Sequence, residues 1–452
     1  VDQVLRIGSA AVCLTPPVGV YLQGQFNRRI MKEVHDHLYA KALVIDDGSN
    51  TVAIVSCDLV SVTRVTAQAA REQIARIADI PPEHVLICAT HTHDGPVIRD
   101  AIPPDLAESD VFPSGFTSPV DHDYLALLPR QIASAVCLAK RHLVEARIGI
   151  GSGREERAAF NRRGLGSDGN VYIHSAAPAG VEIIGVEGPI DPEVGVLFAE
   201  NPEGQLLAAL VDYTCHPTAA GHEHAASADF CGYLTGTIAR AKAVAGEVLF
   251  VNGAQGNIAP VERYSPDRRE YGYHRAEYIG TLIAAEALRV IELTEPRSDL
   301  RVWVTSEIVN LPMREIPAEQ IAEARRALED PQTPTREKVY AQEVLLLDRE
   351  RQHSAVVPVE IQVLAVGDTA FVGVPFEMFV ELGLEIKARS PFAHTFIIDL
   401  ANGSEGYLPT LNAFKKGGYE VRLARGKKIV PEGGAMLVEA ALRVLGDATA
   451  KE

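Results

Sequence analysis

The sequence lacks several features that define large classes of protein. No run of about 18 apolar residues occurs, so no integral membrane segment is expected. No signal-peptide pattern is visible, which favours a cytoplasmic protein, although the chain begins at Val1 and a trimmed leader with secretion stays open. Walker and Gly-x-Ser-x-Gly patterns are absent, so nucleotide hydrolysis and serine-hydrolase chemistry have little support.

Positive charge is also in short supply. The 452 residues include 43 lysines and arginines against 60 aspartates and glutamates, which gives a net charge of -17. A surface of this sign repels phosphate backbones, so we expect a small-molecule substrate and no nucleic-acid partner. The short basic pairs Lys415-Lys416 and Lys427-Lys428 are predicted to lie on a solvated face. The oligomeric state cannot be inferred from these patterns.

Cysteine is sparse, with six residues and no Cys-x-x-Cys pair. Cys215 and Cys231 flank a histidine-rich loop, where a disulfide or a metal-binding role stays open. The remaining four stand in apolar surroundings and are predicted to be reduced core thiols: Cys13, Cys57, Cys88 and Cys137.

Apolar β-branched runs alternate with segments of helical periodicity, which predicts a layered α/β fold. We expect an αβα sandwich with mixed sheets, forming one catalytic domain over residues 1–452. Residues 315–351 are predicted to form a surface helical insertion. The proline-rich stretch 96–120 follows a histidine motif and could shape or cover a pocket. The predicted strands include 42–45, 52–57, 85–89, 206–213, 248–252 and 370–374, and the predicted helices include 64–78, 124–140, 232–245 and 273–293.

The first candidate site is the histidine pair His91 and His93, which follows the apolar strand Val85–Ala89. Chemistry in α/β sheets collects beyond the carboxyl ends of strands. The segment is predicted to be extended, which places two imidazoles two residues apart on one face, where they could share a metal, or one could bind it while the other acts on the proton. A pair of hydrogen-bonded histidines in a turn is the competing interpretation.

A third histidine, His216, follows the strand 206–213 in the same way, which strengthens the metal hypothesis. Downstream, His222 and His224 form a second histidine pair ahead of Asp229. These residues could form a second metal site, but an exposed polar loop explains them as well.

Two further segments stand at strand ends. The turn Asn252–Pro260 is rich in glycine, which allows backbone N–H groups to approach a ligand, although a simple tight loop is the preferred interpretation. Glu377 is predicted to open a helix running to Lys387. There it could complete a metal site or act as a base. Alternatively, it could simply be a glutamate that the helix macrodipole stabilises at a helix N-terminus.

The ordered series of motifs resembles the neutral, non-lysosomal ceramidases and their shorter bacterial relatives. The resemblance covers most of the chain. It rests on Ile7–Ala10 with Thr15–Pro17, Asp36 with Leu38–Ala42, Asp58, His91–Pro96, Asn161–Arg163, His216–Thr218, Ala228–Asp229 with Gly232–Tyr233, Glu377, and Asn402–Glu420.

This resemblance implies one zinc ion per chain, held by His91, His216, Glu377 and Tyr407. It also implies that His93 assists proton transfer or binds substrate, and that Arg162 holds a carbonyl or anionic group. Zinc lowers the pKa of water to about 7, so that hydroxide could attack an amide, ester or lactone carbonyl while His93 or Tyr407 stabilises the oxyanion.

The sequence departs from the ceramidases in three ways. Asn257 and Ala259 replace an aspartate and a serine in the glycine-rich turn, so a serine nucleophile is unavailable. Asp94 replaces a serine and is expected to add a carboxylate beside the metal. The given sequence also ends soon after Ala435–Leu445, and we expect it not to include the immunoglobulin-like domain of the ceramidases. A small polar or amphipathic substrate is therefore expected in place of ceramide.

Two alternatives stay open. The first is a metal-dependent lyase, isomerase or cyclase that acts on a carbohydrate-like substrate. It would use a binuclear centre drawing on additional ligands. The second is a binding or scaffold protein without catalytic activity. The candidates for additional ligands are His35, His37, Asp58, Asp94, His222 and His224.

Overall fold

The computed structural model describes residues 4–25, 28–99, 118–173, 177–221, 224–262, 264 and 270–449. Most of the proline-rich stretch 96–120 lies outside these residues, as does His222. Over the described ranges no helix combines the length and the apolar character needed to cross a bilayer.

The strands are β1 (Arg6–Cys13), β2 (Tyr21–Leu22), β3 (Arg29–Ile30), β4 (Glu33–Val34), β5 (Tyr39–Asp46), β6 (Thr51–Cys57), β7 (Val85–Ala89), β8 (Val144–Glu145), β9 (Arg147–Arg154), β10 (Phe160–Asn161), β11 (Gly164–Gly166), β12 (Val171–Tyr172), β13 (Ile183–Val186), β14 (Glu193–Glu200), β15 (Leu206–Tyr213), β16 (Ala225–Ala226), β17 (Val248–Asn252), β18 (Ile258–Ala259), β19 (Val302–Pro312), β20 (Val356–Val366), β21 (Thr369–Gly373), β22 (Glu377–Met378), β23 (His394–Ile398) and β24 (Tyr407–Leu408). The α-helices are α1 (Arg64–Ala78), α2 (His122–Arg141), α3 (Phe230–Lys242), α4 (Tyr273–Leu293), α5 (Ala318–Glu329), α6 (Thr335–His353), α7 (Val380–Arg389), α8 (Leu411–Lys416) and α9 (Gly433–Thr449).

Three mixed sheets form the centre of the fold. Their strand orders are β7-β6-β5-β1-β8, β17-β15-β14-β9 and β19-β20-β21-β23. Each sheet contains one parallel pair, namely β6 with β7, β15 with β17, and β21 with β23. β7, β17 and β21 are buried at every position, as their continuous apolar sequences predict.

The inner faces of the three sheets meet in one apolar core, which includes Leu86, Leu210 and Phe371. Helices cover the outer faces. α1 and α2 pack on the first sheet, α3 and α4 on the second, and α7 and α9 on the third. Layers of helices therefore enclose layers of mixed sheet, which confirms the predicted layered α/β architecture.

Most predicted elements agree with the structure within a few residues, and helices 64–78 and 273–293 agree at both ends. The prediction for cysteine is wrong in part. Cys13 is exposed and Cys137 is half-buried, because the first ends β1 and the second lies on a helix flank. Cys215 and Cys231 are free thiols, and both are buried in the core between the second sheet and its helices, with Cys231 in the first turn of α3.

Residues 315–351 contain α5 and most of α6, joined by a short turn. α5 buries only Ala324, as a surface helix does. α6 differs because it buries Tyr340, Leu346 and Leu347 against the rest of the molecule. The hairpin thus has a solvated outer helix and an inner helix that forms part of a cleft wall.

Candidate metal centre

Three strand ends, one from each central sheet, converge on a single point. His91 follows β7, His216 follows β15, and Glu377 follows β21. Glu377 Oε2 lies 3.4 Å from His91 Nε2 and 3.3 Å from His216 Nε2. The packing of the three sheets against one core therefore brings together residues that are far apart in sequence.

The segment that carries His91 and His93 is a turn. His91 has a φ of 73°, in the left-handed region that side chains other than glycine rarely adopt. The prediction of an extended segment is therefore wrong, because the His91 N–H turns back to the Leu59 carbonyl at 3.0 Å. The turn sets the two rings almost perpendicular, with their Nε2 atoms 3.2 Å apart.

Backbone carbonyls fix the orientation of both strand-end imidazoles. His91 Nδ1 lies 2.6 Å from the Val60 carbonyl, and His216 Nδ1 lies 2.9 Å from the Gln255 carbonyl. A carbonyl can only accept, so both Nδ1 atoms carry the proton and donate it. In the neutral ring each Nε2 then offers its lone pair toward Glu377, the arrangement found in histidines that bind a metal.

Glu377 does not open a helix, contrary to the prediction. It lies in β22, which pairs in parallel with β24 and sets Glu377 opposite Tyr407. The Glu377 N–H donates to the Gly406 carbonyl at 2.8 Å, and α7 begins three residues later at Val380. This pairing spans 30 positions of sequence, so the local pattern around Glu377 could not indicate it.

The donor set fits a metal cation. Glu377 Oε2 is buried without a hydrogen bond to any described residue, although two acceptor nitrogens face it. A buried carboxylate oxygen in that position needs a cation or a proton. Burial acts to raise the pKa of Glu377, but the charge and hydrogen bonds that His91 and His216 supply when Nε2 is protonated lower it well below its ordinary value; a metal cation would take the place of those protons.

The histidines are suited to the same role. Burial and the nearby Arg162 lower the pKa of His216 to about 3, and burial with His91 lowers the pKa of His93 well below its usual value. Both are therefore neutral ligands at pH 7. Ligand atoms of His91, His93 and His216 lie within 4.8 Å of one another, so His93 is close enough to bind a metal as well.

Arg162 and Tyr407 border the centre. Arg162 Nη1 lies 3.3 Å from His216 Nε2, Nη2 donates to the Gly256 carbonyl at 2.7 Å, and the guanidinium carbon lies 5.5 Å from the Tyr407 ring centroid. The Tyr407 hydroxyl is within hydrogen-bonding reach of Glu377, and burial raises its pKa well above the ordinary value. Both side chains can therefore donate to an oxygen atom at the centre.

The glycine-rich turn builds the site through its backbone. A Cβ at Gly256 would lie 2.4 Å from the Glu377 carbonyl oxygen, so only glycine permits this approach. Asn257 serves α7, accepting the Val380 N–H and donating to Glu381, both at 2.9 Å. The Asn257 side-chain amide thus anchors α7 and supports the centre indirectly, through Val380 and Glu381.

Asp94 and Asp229 have structural partners. Asp94 forms a buried ion pair with Arg29 at 2.5 Å, so the carboxylate expected beside the metal is neutralised by a guanidinium. Arg29 also donates to the His93 carbonyl, which ties the pair to the histidine turn. Asp229 accepts the N–H groups of Ala220 and Phe230, joining the His216 loop to α3.

The described candidates for additional ligands of a binuclear centre lie outside this cluster. His35 stacks on Tyr273 at 3.5 Å, and His37 contacts Thr15. Asp58 accepts the Tyr39 N–H, and His224 contacts the Ile30 carbonyl. Among the residues that the structure describes, His91, His93 and His216 form the one group of three or more histidine, cysteine, aspartate or glutamate side chains that could hold a metal ion together.

Sequence reasoning gave no role to Glu420, Arg29 or Lys427. Glu420 is fully buried and accepts from Arg162 Nε at 3.0 Å and from Arg163 Nη1 at 2.7 Å. The adjacent Arg162 and Arg163 were the signal available in the sequence, because two arginines that become buried require a carboxylate partner such as Glu420.

The prediction of a solvated face at Lys427-Lys428 is wrong. Both residues are only 7% exposed and line a cleft of about 490 Å³ that also contacts Glu377 and Tyr407. Aromatic rings and glutamates from other segments of the chain cover these two lysines. Lys428 binds Glu350 and Glu405, at 2.6 and 3.0 Å.

Comparisons with known proteins agree at the level of the fold. No protein-family model matches the sequence, and no curated protein matches it either. A crystal structure of neutral ceramidase from Pseudomonas aeruginosa is similar with a TM-score of 0.75 and 17% identity, covering 100% of this chain and 75% of that one. A structure titled "Ceramidase complexed with C2" is similar with a TM-score of 0.73 and 16% identity, covering 100% of this chain and 76% of that one. The chain therefore has the ceramidase fold, as the sequence resemblance implied.

Proposed function

We propose that the chain is a zinc-dependent hydrolase that cleaves an amide bond, or an ester or lactone, in a small polar or amphipathic molecule. The observation that carries this proposal is the buried Glu377 oxygen that faces the Nε2 atoms of His91 and His216, whose rings are oriented by backbone carbonyls at Nδ1. Two imidazoles and one carboxylate are a usual catalytic zinc set. The ceramidase fold of the chain supports the same reaction class.

His91, His216 and Glu377 would hold the ion, with Tyr407 as a fourth donor beside Glu377. When bound, zinc would act as a Lewis acid and lower the pKa of water to about 7. Arg162, held by Glu420 and the Gly256 carbonyl, would donate to the substrate carbonyl oxygen as negative charge develops there.

His93 would handle the proton. Its Nε2 faces the centre, and its Nδ1 is buried without a hydrogen bond to any described residue. A neutral imidazole in that position can take a proton from water and pass it to the departing nitrogen. The C–N bond then breaks, and the products are a carboxylic acid and an amine.

The size and lining of the cleft favour a small substrate. Its volume of about 490 Å³ falls within the range of about 300–1,000 Å³ that is common for small-molecule sites. Charged side chains of several segments line it, including Arg99, Glu343 and Lys427. Such walls suit a polar or amphipathic molecule better than one with two long hydrocarbon chains.

The proposal is tested with His91→Ala and His216→Ala, using His274→Ala as a control because its side chain is 66% exposed and pairs with Glu270. Hydrolysis of an acyl-amide panel is followed in ¹⁸O-labelled water. We expect one ¹⁸O in the acid product, and activity lost only in the first two variants. A product formed without ¹⁸O would contradict hydrolysis, and full activity in both variants would contradict the metal centre.

A further inference from the structure

The charges in the cleft above Glu377 do not all compensate one another within the protein. Arg425 pairs with Glu343 at 2.5 Å, and Lys428 pairs with Glu350 and Glu405. Glu343, Glu350 and Glu405 of this wall thus have cationic partners. Lys427 lies between these pairs and forms no direct ion pair with a carboxylate of the described residues, and Glu377 and Glu420 attract it from a greater distance.

The Lys427 side chain is held by aromatic rings. Its Nζ lies 3.4 Å from the ring centroid of Tyr419, 5.3 Å from that of Tyr340 and 5.9 Å from that of Tyr407. The residue is 7% exposed, and its ammonium group forms no hydrogen bond or ion pair with the described residues. The ring faces attract the cation but leave its hydrogen-bond donors unused.

A nearly buried ammonium without an acceptor is unfavourable, and burial lowers the pKa of Lys427 to about 7. An anion in the cleft would place a charge and hydrogen-bond acceptors in direct contact with the ammonium group, where no described carboxylate lies. The net charge of -17 repels anions from the surface generally, so a dedicated cation is needed to admit one.

Tyr407 connects this cation to the metal centre. Its hydroxyl is within hydrogen-bonding reach of Glu377, and its ring faces the Lys427 ammonium. An anion bound at Lys427 and a carbonyl placed at the centre would therefore be separated by one tyrosine ring. The carboxylate of an N-acyl amino acid lies only a few bonds from its amide carbonyl, so one small molecule could present both groups to this cleft.

We infer that Lys427 is an anion-binding residue of the cleft and that the substrate is an N-acyl amino acid or a similar amide whose carboxylate it binds. This inference rests on the proposed function for the reaction, but the binding step does not depend on turnover. The hydrolysed bond remains the amide, where water adds to the carbonyl carbon and the nitrogen leaves with a proton.

The test uses two probes of similar length, N-hexanoylglycine and its neutral analogue N-hexanoylethanolamine. Binding to the full chain is measured by calorimetry, and hydrolysis is measured separately by release of the amine. The variants are Lys427→Met, which keeps the aliphatic packing, and Lys427→Arg, which keeps the charge. Lys415→Met is the control, because Lys415 is an exposed cation on α8. Circular dichroism checks folding.

We expect N-hexanoylglycine to bind the wild type more tightly than the neutral probe. Lys427→Met should reduce this preference about 30-fold or more, since the carboxylate of the bound probe loses its cationic partner. Lys427→Arg should retain much of the preference, and Lys415→Met should retain all of it. An unchanged ratio in Lys427→Met would overturn the inference and leave Lys427 a purely structural cation.

The two proposals can fail separately. Hydrolysis of both probes without a preference for the anion would refute the role of Lys427 and leave the hydrolase proposal standing. Lys427-dependent binding of N-hexanoylglycine without hydrolysis of any amide would support the anion site and refute the proposed reaction. Tight binding of the neutral probe alone would contradict the substrate class.

Discussion

Replacing Glu420 by glutamine is predicted to be strongly destabilising. Glu420 is fully buried and neutralises two arginines at once. Arg163 keeps a second partner in Glu187, whereas Arg162 forms its ion pair with Glu420 alone among described residues. Glu420→Gln therefore leaves about one uncompensated buried charge, which costs about 3–5 kcal/mol of unfolding free energy.

The assay is urea unfolding followed by far-ultraviolet circular dichroism. Glu439→Gln is the matched control, because that carboxylate is 58% exposed and pairs with Arg389 at the surface. The control should lose much less unfolding free energy, because solvent screens an ion pair at the surface. If Glu420→Gln loses no more than the control, the account of the Arg162–Glu420–Arg163 cluster is wrong.

The same substitution should affect catalysis through the orientation of Arg162. Mutation of a residue that lies one contact away from a metal site commonly lowers activity or metal affinity by about 10–100-fold. We expect kcat to fall by about this factor while metal content stays at the wild-type level. Loss of the metal together with activity would assign Glu420 to holding the ligands and not to positioning Arg162.

Three further substitutions probe the surroundings of the centre. Asn257→Ala should lower the unfolding free energy by about 1–2 kcal/mol, since the Val380 N–H loses its acceptor, and should leave metal content unchanged by mass spectrometry. Gly256→Ala should weaken metal binding and cost about 1–3 kcal/mol, because its Cβ displaces Glu377; retention of wild-type affinity would refute the close approach. Burial raises the pKa of Asp229 to about 7. Wild-type stability, compared with Asp229→Asn, should therefore fall as pH rises from about 4 to 7, and equal slopes of unfolding free energy would contradict this.

The parts of the fold that could be predicted are those with a continuous local signal. β7, β15 and β17 are uninterrupted apolar runs, and their ends placed His91, His216 and the glycine-rich turn correctly at strand termini. The layered architecture followed from the alternation of such runs with helical periodicity.

The errors arise where a residue's environment comes from distant segments. Glu377 lies beside α7 in sequence, but its strand partner Tyr407 is 30 positions away. Lys427 belongs to a short basic pair that is typical of a surface, but Tyr340 on α6 covers it from nearly 90 positions away. No local pattern records such contacts.

Asp94 illustrates the same limit at the site itself. Its position beside two histidines suggested a carboxylate next to the metal, whereas the structure pairs it with Arg29, 65 residues earlier. The identities of the neighbouring residues were informative, but the direction of the carboxylate depends on the short strands that carry Arg29.

The central claim is that three strand ends, one from each sheet, hold a single zinc ion. It is tested most directly by a crystal structure of the zinc-loaded protein with anomalous data collected across the zinc absorption edge. We predict one anomalous peak within about 2.0–2.2 Å of His91 Nε2, His216 Nε2 and a Glu377 oxygen. A fully loaded crystal with its peak elsewhere, or with a peak that Glu377 does not contact, would contradict the account.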